Sequence, residues 1–206
     1  MKNYKKNFEL LSKNYVYSSE MEHDACGVGL IASTEGKKSR TVVDYGIEAL
    51  KAVWHRGAVD ADGKTGDGAG IHLEIPKDFF IEKIQVTGHD YDNSEICVGM
   101  IFLPRNDYSS QESCKTIVES ELTKSNFSIY GWRQVPVNLK VLGEKALQTM
   151  PEIIQVLFKS NDPNLLDKKL ERQIYETRKK IENKAFNLSL NNFYICSISS
   201  KSIIYK

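Results

Sequence analysis

The residue in this sequence best suited to act as a nucleophile is Cys26, within the segment His23–Gly29. A thiolate attacks carbonyl carbons, and Gly27 and Gly29 would let a substrate approach the backbone closely. Taken alone, a free cysteine beside an apolar strand is more often a packing residue than a catalyst. His23 and Cys26 also have zinc-ligand spacing, but no second pair lies near them in sequence, so no metal site is expected.

A second group of polar residues occupies Trp54–Asp60 and Gly66–Gly70. Arg56 and the aspartates that follow it could support a neighbouring site, whereas the spacing alone equally suits a helix cap followed by a turn. Gly63–Thr65 has the ending of a phosphate-binding loop, but position 58, where that loop needs a glycine, is Ala58. The sequence therefore gives little support to a phosphate loop.

Local patterns predict the elements that would place these residues. Cys26–Ser33 is a short apolar run typical of a buried strand. Residues 58–70 read as a Gly- and Asp-rich loop, and Ile71–Ile75 as a strand ended by Pro76. Apolar residues at helical spacing predict a helix, and Gly57 would end it. These residues are Val43, Ile47, Leu50 and Trp54.

The remainder of the chain mixes strands and helices, with several strands adjacent in sequence, which favours an α+β fold. Further strands are predicted at Ile96–Leu103, 127–137 and 153–158. Ser109 and Glu112 suggest a capping box at the start of a helix. A long charged helix is predicted over 163–185, with an apolar stripe at Leu166, Leu170 and Ile174. The last two runs, Phe193–Ser199 and Ser202–Tyr205, suggest a hairpin.

Composition excludes several classes of protein. The chain has 206 residues, 41% of them hydrophobic, and a formal net charge of +1, so neither a nucleic-acid nor a membrane surface is expected. Residues 1–25 form a polar, Lys-rich leader without the apolar core of a secretory signal. The widely spaced cysteines then indicate free thiols and a cytoplasmic location. Cys97, Cys114 and Cys196 fall in apolar patterns and are predicted to be packing residues.

The order of three motifs resembles the class II glutamine amidotransferases. These motifs are Cys26–Gly29, His55–Ala58 and Gly66–Ile71, and the third one points to the glutamate synthase branch of that family. The resemblance is specific from Glu22 to Pro76 and resumes at Asn192–Ser200. It implies a leader over residues 1–25, a glutamine amidotransferase domain over 26–206, and a four-layer αββα sandwich of the N-terminal nucleophile hydrolase type, incomplete at its C-terminus.

The resemblance also implies a mechanism. Removal of the leader would make Cys26 the first residue, and its free α-amine would serve as the base that activates the thiol. Ammonia would then leave glutamine through a cysteinyl thioester. Gly27 and Gly29 would keep the start of the strand open, Arg56 would support the region around the nucleophile, and Asp67 and Gly68 would shape the neighbouring loop.

The family's oxyanion-hole and substrate-binding motifs are absent from this sequence and would lie beyond Lys206, so the isolated chain is expected to have weak or no activity. FMN and an iron–sulfur cluster would belong to downstream synthase domains, and none of these cofactors is expected in this chain. Two alternatives remain open: a non-catalytic remnant or binding module that keeps part of the fold, and a different class II amidotransferase.

Overall fold

The computed structural model describes residues 2–14, 27–54 and 57–206 of the chain. Its helices are α1 (Lys2–Asn14), α2 (Arg40–Ala52), α3 (Lys77–Val86), α4 (Tyr108–Lys124), α5 (Glu144–Thr149) and α6 (Asp167–Asn187). Its strands are β1 (Ile71–Glu74), β2 (Cys97–Leu103), β3 (Phe127–Gln134), β4 (Glu152–Ser160), β5 (Tyr194–Ser199) and β6 (Ser202–Tyr205). Within these residues, no helix is long and apolar enough to cross a membrane.

The larger sheet has four antiparallel strands in the order β3-β4-β2-β5. Strand β2 lies between β4 and β5, and six of its seven residues are buried. A strand covered on both faces needs apolar side chains in succession rather than in alternation, which explains the continuous run that the sequence shows here. The strands predicted at Ile71–Ile75, Ile96–Leu103, 127–137 and 153–158 are all confirmed, with bounds shifted by one to three residues.

Two hydrophobic cores lie on opposite faces of this sheet. Helices α4 and α6 cover one face, through buried residues such as Val118, Leu122 and Ile174. The other face packs against α3 and against a two-stranded antiparallel sheet of β1 and β6, through Phe80, Ile84 and Ile203. Burying both faces of a sheet requires a covering layer on each side, and here one layer is helical and the other is mainly a second sheet.

Helix α2 contacts β1 of the small sheet, so the elements follow the order helices, sheet, sheet, helix. The predicted α+β sandwich is confirmed. Helix α1 lies within the predicted leader, and the boundary of that leader at Cys26 stays a prediction.

The predicted hairpin of the last two strands is wrong. Strand β5 pairs with β2 in the large sheet, whereas β6 pairs with β1 in the small one. The turn between them is held by Glu171 of α6, whose carboxylate accepts hydrogen bonds from Ser199 Oγ, Ser200 N and Ser200 Oγ at 2.9, 2.7 and 2.7 Å. This turn passes the chain from one layer to the next instead of folding it back within a sheet.

Three predicted helix ends also differ from the structure. Helix α4 is capped by Asp107, which accepts a hydrogen bond from Ser110 N at 3.0 Å, and not by Ser109. Residues 162–165 form a separate turn, closed by the Leu165 N–H on the Asp162 carbonyl, so α6 begins after it and Leu166 is exposed. Helix α2 ends at Ala52, which leaves Trp54 exposed and Gly57 in a later turn.

The buried faces of the helices agree better with the sequence patterns. Leu170 and Ile174 of the predicted α6 stripe are buried, and the stripe continues through Thr177, Ile181 and Ala185. Cys97, Cys114 and Cys196 are buried free thiols in the two cores, as predicted.

Candidate active site

The loop before β1 is a closed turn. Asp60 N donates to Thr65 O at 2.7 Å, and Gly63 N donates to Asp60 O at 2.9 Å. Val59 and Gly66 form an antiparallel bridge outside these bonds. Gly63 has a φ of +68°, a conformation that glycine adopts without steric cost. The Gly- and Asp-rich composition thus builds a compact hairpin-like turn with defined ends.

The carboxylate of Asp62 lies at the centre of this turn. Its Oδ1 accepts from Lys64 N at 2.9 Å and from Thr65 N at 2.7 Å, and its Oδ2 accepts from Thr65 Oγ1 at 2.5 Å. Oδ2 also accepts from Glu144 N, the first residue of α5, at 3.1 Å. These donors, the Thr65 hydroxyl first among them, lower the pKa of Asp62 to about 2.

Gly143 and Lys145 strengthen the contact between the turn and α5. A Cβ at Gly143 would lie 2.1 Å from Thr65 Oγ1 and 2.3 Å from Asp62 Oδ2, so only glycine allows this approach. Lys145 Nζ binds Asp60 Oδ2 at 2.5 Å and is the main reason that the pKa of Asp60 is lowered. The turn is therefore fixed to a segment about eighty residues later in the chain.

Asp67 and Gly68 lie where the turn joins β1. Asp67 Oδ2 accepts a hydrogen bond from Ala58 N at 2.9 Å, which closes the base of the turn. Gly68 has a φ of +91°, and a Cβ at Gly70 would lie 3.0 Å from the carbonyl oxygen of Tyr205 in β6. These two predicted site residues are together, and the small sheet holds the end of their loop.

A cavity of about 230 Å³ opens beside the same turn. It is lined by Ala58, Val59, Asp60, Thr65, Gly66 and Asp67. Asp67 therefore both closes the base of the turn and faces this cavity.

The predicted nucleophile Cys26 and the predicted supporting residue Arg56 lie outside the described residues. Gly27 and Gly29 are described, and both are exposed. No hydrogen bond among the described residues joins either glycine to the turn.

The part of the predicted strand Cys26–Ser33 that the structure describes, residues 27–33, is not a strand. Val28 is 90% exposed and Leu30 is 88% exposed. A strand needs a partner for its N–H and C=O groups, and in the described residues β1 pairs only with β6. The prediction of a buried strand is therefore wrong for residues 27–33 in this structure.

The turn does not have the arrangement of a phosphate loop. The backbone N–H groups of Lys64 and Thr65 and the Thr65 hydroxyl all donate to Asp62, so a carboxylate of the protein already takes the donors that a phosphate would need. Among the described residues, no group of three His, Cys, Asp or Glu side chains could hold a metal ion. His23 and Cys26, the pair with zinc-ligand spacing, lie outside those residues.

Comparison with known proteins gives the family. The family model for class II glutamine amidotransferases matches residues 26–206. The chain belongs to this family.

Its similar relatives include glutamate synthases from three distant organisms. It is 50% identical over 203 residues to the glutamate synthase [NADPH] large chain of Azospirillum brasilense, which covers 98% of this chain and 13% of that protein. It is 40% identical over 202 residues to the ferredoxin-dependent glutamate synthase of Pyropia yezoensis, covering 96% of this chain and 13% of that protein. The glutamate synthase [NADH] of Saccharomyces cerevisiae is 36% identical over 205 residues, or 94% of this chain and 9% of that protein.

The buried cysteines of this class II amidotransferase are poor nucleophiles. Burial raises the pKa of Cys114 to about 11 and raises the pKa values of Cys97 and Cys196 above their ordinary value. A thiol must lose its proton to attack an amide, and these three stay protonated at neutral pH. Cys26, the remaining cysteine of the sequence, lies outside the described residues.

Sequence reasoning missed the contact between Asp62 and α5. The spacing of Asp62, Lys64 and Thr65 is typical of a turn in which an aspartate accepts nearby N–H groups, and it could have indicated the local bonds. Nothing in the sequence indicates the hydrogen bond between Asp62 and Glu144, because the two residues are 82 positions apart. Helix α5 itself is six residues long and too short to give a clear periodic signal.

Proposed function

We propose that this chain is the glutamine-hydrolysing part of a glutamate synthase, with Cys26 as the nucleophile. The family match over residues 26–206 carries the proposal, because it begins at the predicted nucleophile. The buried state of Cys97, Cys114 and Cys196 supports the choice of Cys26. The similarity to proteins that are named glutamate synthases supports the assignment to that branch rather than to another class II amidotransferase.

The proposed reaction needs a base beside the thiol. Removal of residues 1–25 would free the α-amine of Cys26. An α-amine in a model peptide has a pKa of about 7.7–8.0 and a cysteine thiol one of about 8.5, so the amine is a suitable base for the thiol. The amine takes the thiol proton, and the thiolate attacks the side-chain amide carbon of glutamine. The amine then returns the proton to the leaving ammonia. Water, deprotonated by the same amine, hydrolyses the thioester to glutamate and restores the thiol.

The described loop residues have supporting roles in this proposal. Asp67 closes the base of the turn through Ala58 N, and Gly68 lets the chain pass from the turn into β1. Gly27 and Gly29 would leave room for glutamine beside the nucleophile, and Arg56 would support the region around the nucleophile. Each of these residues would help to position Cys26, and none would take part in bond breaking.

The chain spans 13% of the Azospirillum relative, so the synthase reaction is proposed for a longer protein that contains it. Ammonia released here would pass to synthase domains that make glutamate from 2-oxoglutarate. We propose that FMN and an iron–sulfur cluster are bound in those domains and not in this chain. The relatives' names include NADPH, NADH and ferredoxin, and the proposal is confined to the glutamine half-reaction that the shared domain implies.

The test is ammonia release from glutamine by the protein expressed from the complete gene. Cys26→Ser should lower kcat by at least ~1000-fold, because a weaker nucleophile replaces the thiolate. Cys196→Ala, a matched change at a buried cysteine, should keep kcat near the wild-type value. Retention of activity in Cys26→Ser would overturn the assignment of the nucleophile. Absence of ammonia release from the wild-type protein would favour a binding module.

A further inference from the structure

We infer that Asp62 is a positioning residue of the candidate active site, which locks the loop carrying Asp67 and Gly68 against α5. This inference rests on the proposed function. The contact of Asp62 and Thr65 with Gly143 and Glu144 is called here the loop clasp. It is a tertiary contact, because its two sides are separated by 82 positions in sequence.

The chemistry of the clasp depends on one carboxylate with two oxygens in different roles. Among the described residues, Oδ1 accepts from the turn alone, through Lys64 N and Thr65 N. Oδ2 accepts from Thr65 Oγ1 within the turn and from Glu144 N outside it. One rigid planar group therefore sets both the shape of the turn and its position on α5. Ionised acceptors make stronger hydrogen bonds than neutral ones, so an aspartate serves better here than an asparagine.

Steric fit at Gly143 makes the clasp selective for glycine. Thr65 N would lie 2.6 Å from a Cβ at this position, in addition to the two contacts at 2.1 and 2.3 Å. Gly143 has a φ of −74°, which other residues adopt freely, so the requirement comes from space and not from backbone conformation. An added methyl group must push the turn away from α5.

A few hydrogen bonds connect the loop clasp to the predicted site residues, so a displacement of Asp62 would also displace those residues. Thr65 donates its N–H to Asp62 and accepts the N–H of Asp60 through its carbonyl oxygen. Gly66 then pairs with Val59, and Asp67 bonds to Ala58 N. Only Gly66 separates Thr65 from Asp67, so loosening Asp62 loosens the base of the turn.

Asp107 provides a matched control. Its carboxylate also caps a helix, through Ser110 N at 3.0 Å and Ser110 Oγ at 2.6 Å. Those donors belong to the first turn of α4 itself, so this cap connects no separate segment. A purely structural role for Asp62 would make the two aspartates behave alike.

The experiment has two arms. Amide hydrogen exchange of the 206-residue chain compares Asp62→Ala, Gly143→Ala and Asp107→Ala with wild type. Asp62→Ala and Gly143→Ala should speed exchange of the Ala58 and Asp60 amides by ~10-fold or more, since their acceptors in the turn are no longer held, whereas β2 amides should not change. Asp107→Ala should leave the Ala58 and Asp60 amides unchanged.

Kinetics of the protein expressed from the complete gene form the second arm. Asp62→Ala and Gly143→Ala should lower kcat for ammonia release by ~10–100-fold, with KM for glutamine changed by less than ~3-fold, because misplacement of the nucleophile region affects the chemical step. Asp62→Asn should restore part of the loss, since its amide oxygen still accepts. Asp107→Ala should lower Tm without changing kcat.

Each outcome decides the inference. Unchanged exchange at Ala58 and Asp60 in both clasp variants would overturn it, as would an unchanged kcat in an active enzyme. A loss of kcat in Asp107→Ala equal to that in Asp62→Ala would show a general stability effect and would also overturn it. A wild-type protein that releases no ammonia would contradict the proposed function, and the exchange arm would then decide whether the clasp holds the loop.

Discussion

Glu171 Oε1 accepts two hydrogen bonds from Ser200, one from its backbone N–H and one from its hydroxyl, each at 2.7 Å. Ser200 is 1% exposed and lies between β5 and β6. A buried N–H needs a partner, and here a side chain of α6 supplies it in place of a neighbouring strand. This contact lets the chain leave the large sheet and enter the small one, which carries the loop of the candidate site.

Glu171→Ala should therefore destabilise the fold. Two buried donors of Ser200 lose their acceptor, which costs about 1–3 kcal/mol for each unsatisfied group. Urea unfolding of the 206-residue chain measures the change. Glu176→Ala is the control, because Glu176 pairs with Arg172 in an exposed contact that contributes less than ~1 kcal/mol. Equal losses in both variants would contradict the role given to Glu171.

The sequence predicted elements whose signal is local. Strand β2 is a continuous apolar run, and α6 carries Leu170 and Ile174 at helical spacing, so their type follows from short-range pattern. The pairing partners of β5 and β6 do not follow from a short-range pattern. Two strands joined by Ser200 and Lys201 look like a hairpin, but β5 pairs with β2 and β6 with β1, which are distant in sequence, and Glu171 holds the turn between the two sheets.

The candidate site likewise has a part that could be predicted from the sequence and a part that could not. The turn around Asp62 follows from glycines and aspartates at close spacing, whereas its attachment to Glu144 depends on the path of the intervening strands and helices. The run after Cys26 is apolar enough for a strand, but hydrophobicity alone does not supply the hydrogen-bonding partner that a strand needs. Residues 27–33 accordingly remain outside both sheets.

Gly99 in β2 should not tolerate a larger residue. A Cβ at this position would lie 2.7 Å from Val156 Cγ1 in β4, and the stiff valine side chain can yield little. Gly99→Ala should cost about 1–3 kcal/mol through overpacking. Gly46→Ala in α2 is the matched control, because its Cβ would make an ordinary 3.4 Å contact and alanine favours the helix. Thermal unfolding of both variants checks the prediction, and a fully stable Gly99→Ala would contradict it.

Asp92 should make the fold sensitive to acid. Lys159 is the main reason that the pKa of Asp92 lies well below its usual range, with Ser94 Oγ at 2.6 Å and Tyr130 OH at 3.0 Å also donating to it. A carboxyl group with a lowered folded-state pKa contributes stability above its unfolded pKa of about 3.9 and loses it as pH falls towards the folded value.

The measurement for Asp92 is the free energy of unfolding as a function of pH. The wild-type chain should lose stability as pH falls below about 4, and Asp92→Asn should reduce that slope. An identical slope in the two proteins would show that Asp92 does not carry the effect.

The leader is predicted to be removed before Cys26. Intact mass and N-terminal sequencing of the protein expressed from the complete gene should show a chain that starts at Cys26, because only a free α-amine there supplies the proposed base. A Cys26→Ala variant distinguishes two routes of processing. The variant stays uncleaved if removal of the leader needs the thiol, and it is still cleaved if another protease removes the leader. A wild-type chain that starts at Met1 and still releases ammonia would contradict the mechanism.

Glutamine is proposed to react at Cys26. The most direct measurement treats the protein from the complete gene with a glutamine analogue that carries an electrophilic group at the side-chain amide position, followed by peptide mass mapping. The expected result is one adduct, on Cys26, that excess glutamine prevents, while Cys97, Cys114 and Cys196 stay unmodified because burial keeps their thiols protonated. An adduct on one of those three residues, or none on Cys26 in a protein that hydrolyses glutamine, would contradict it.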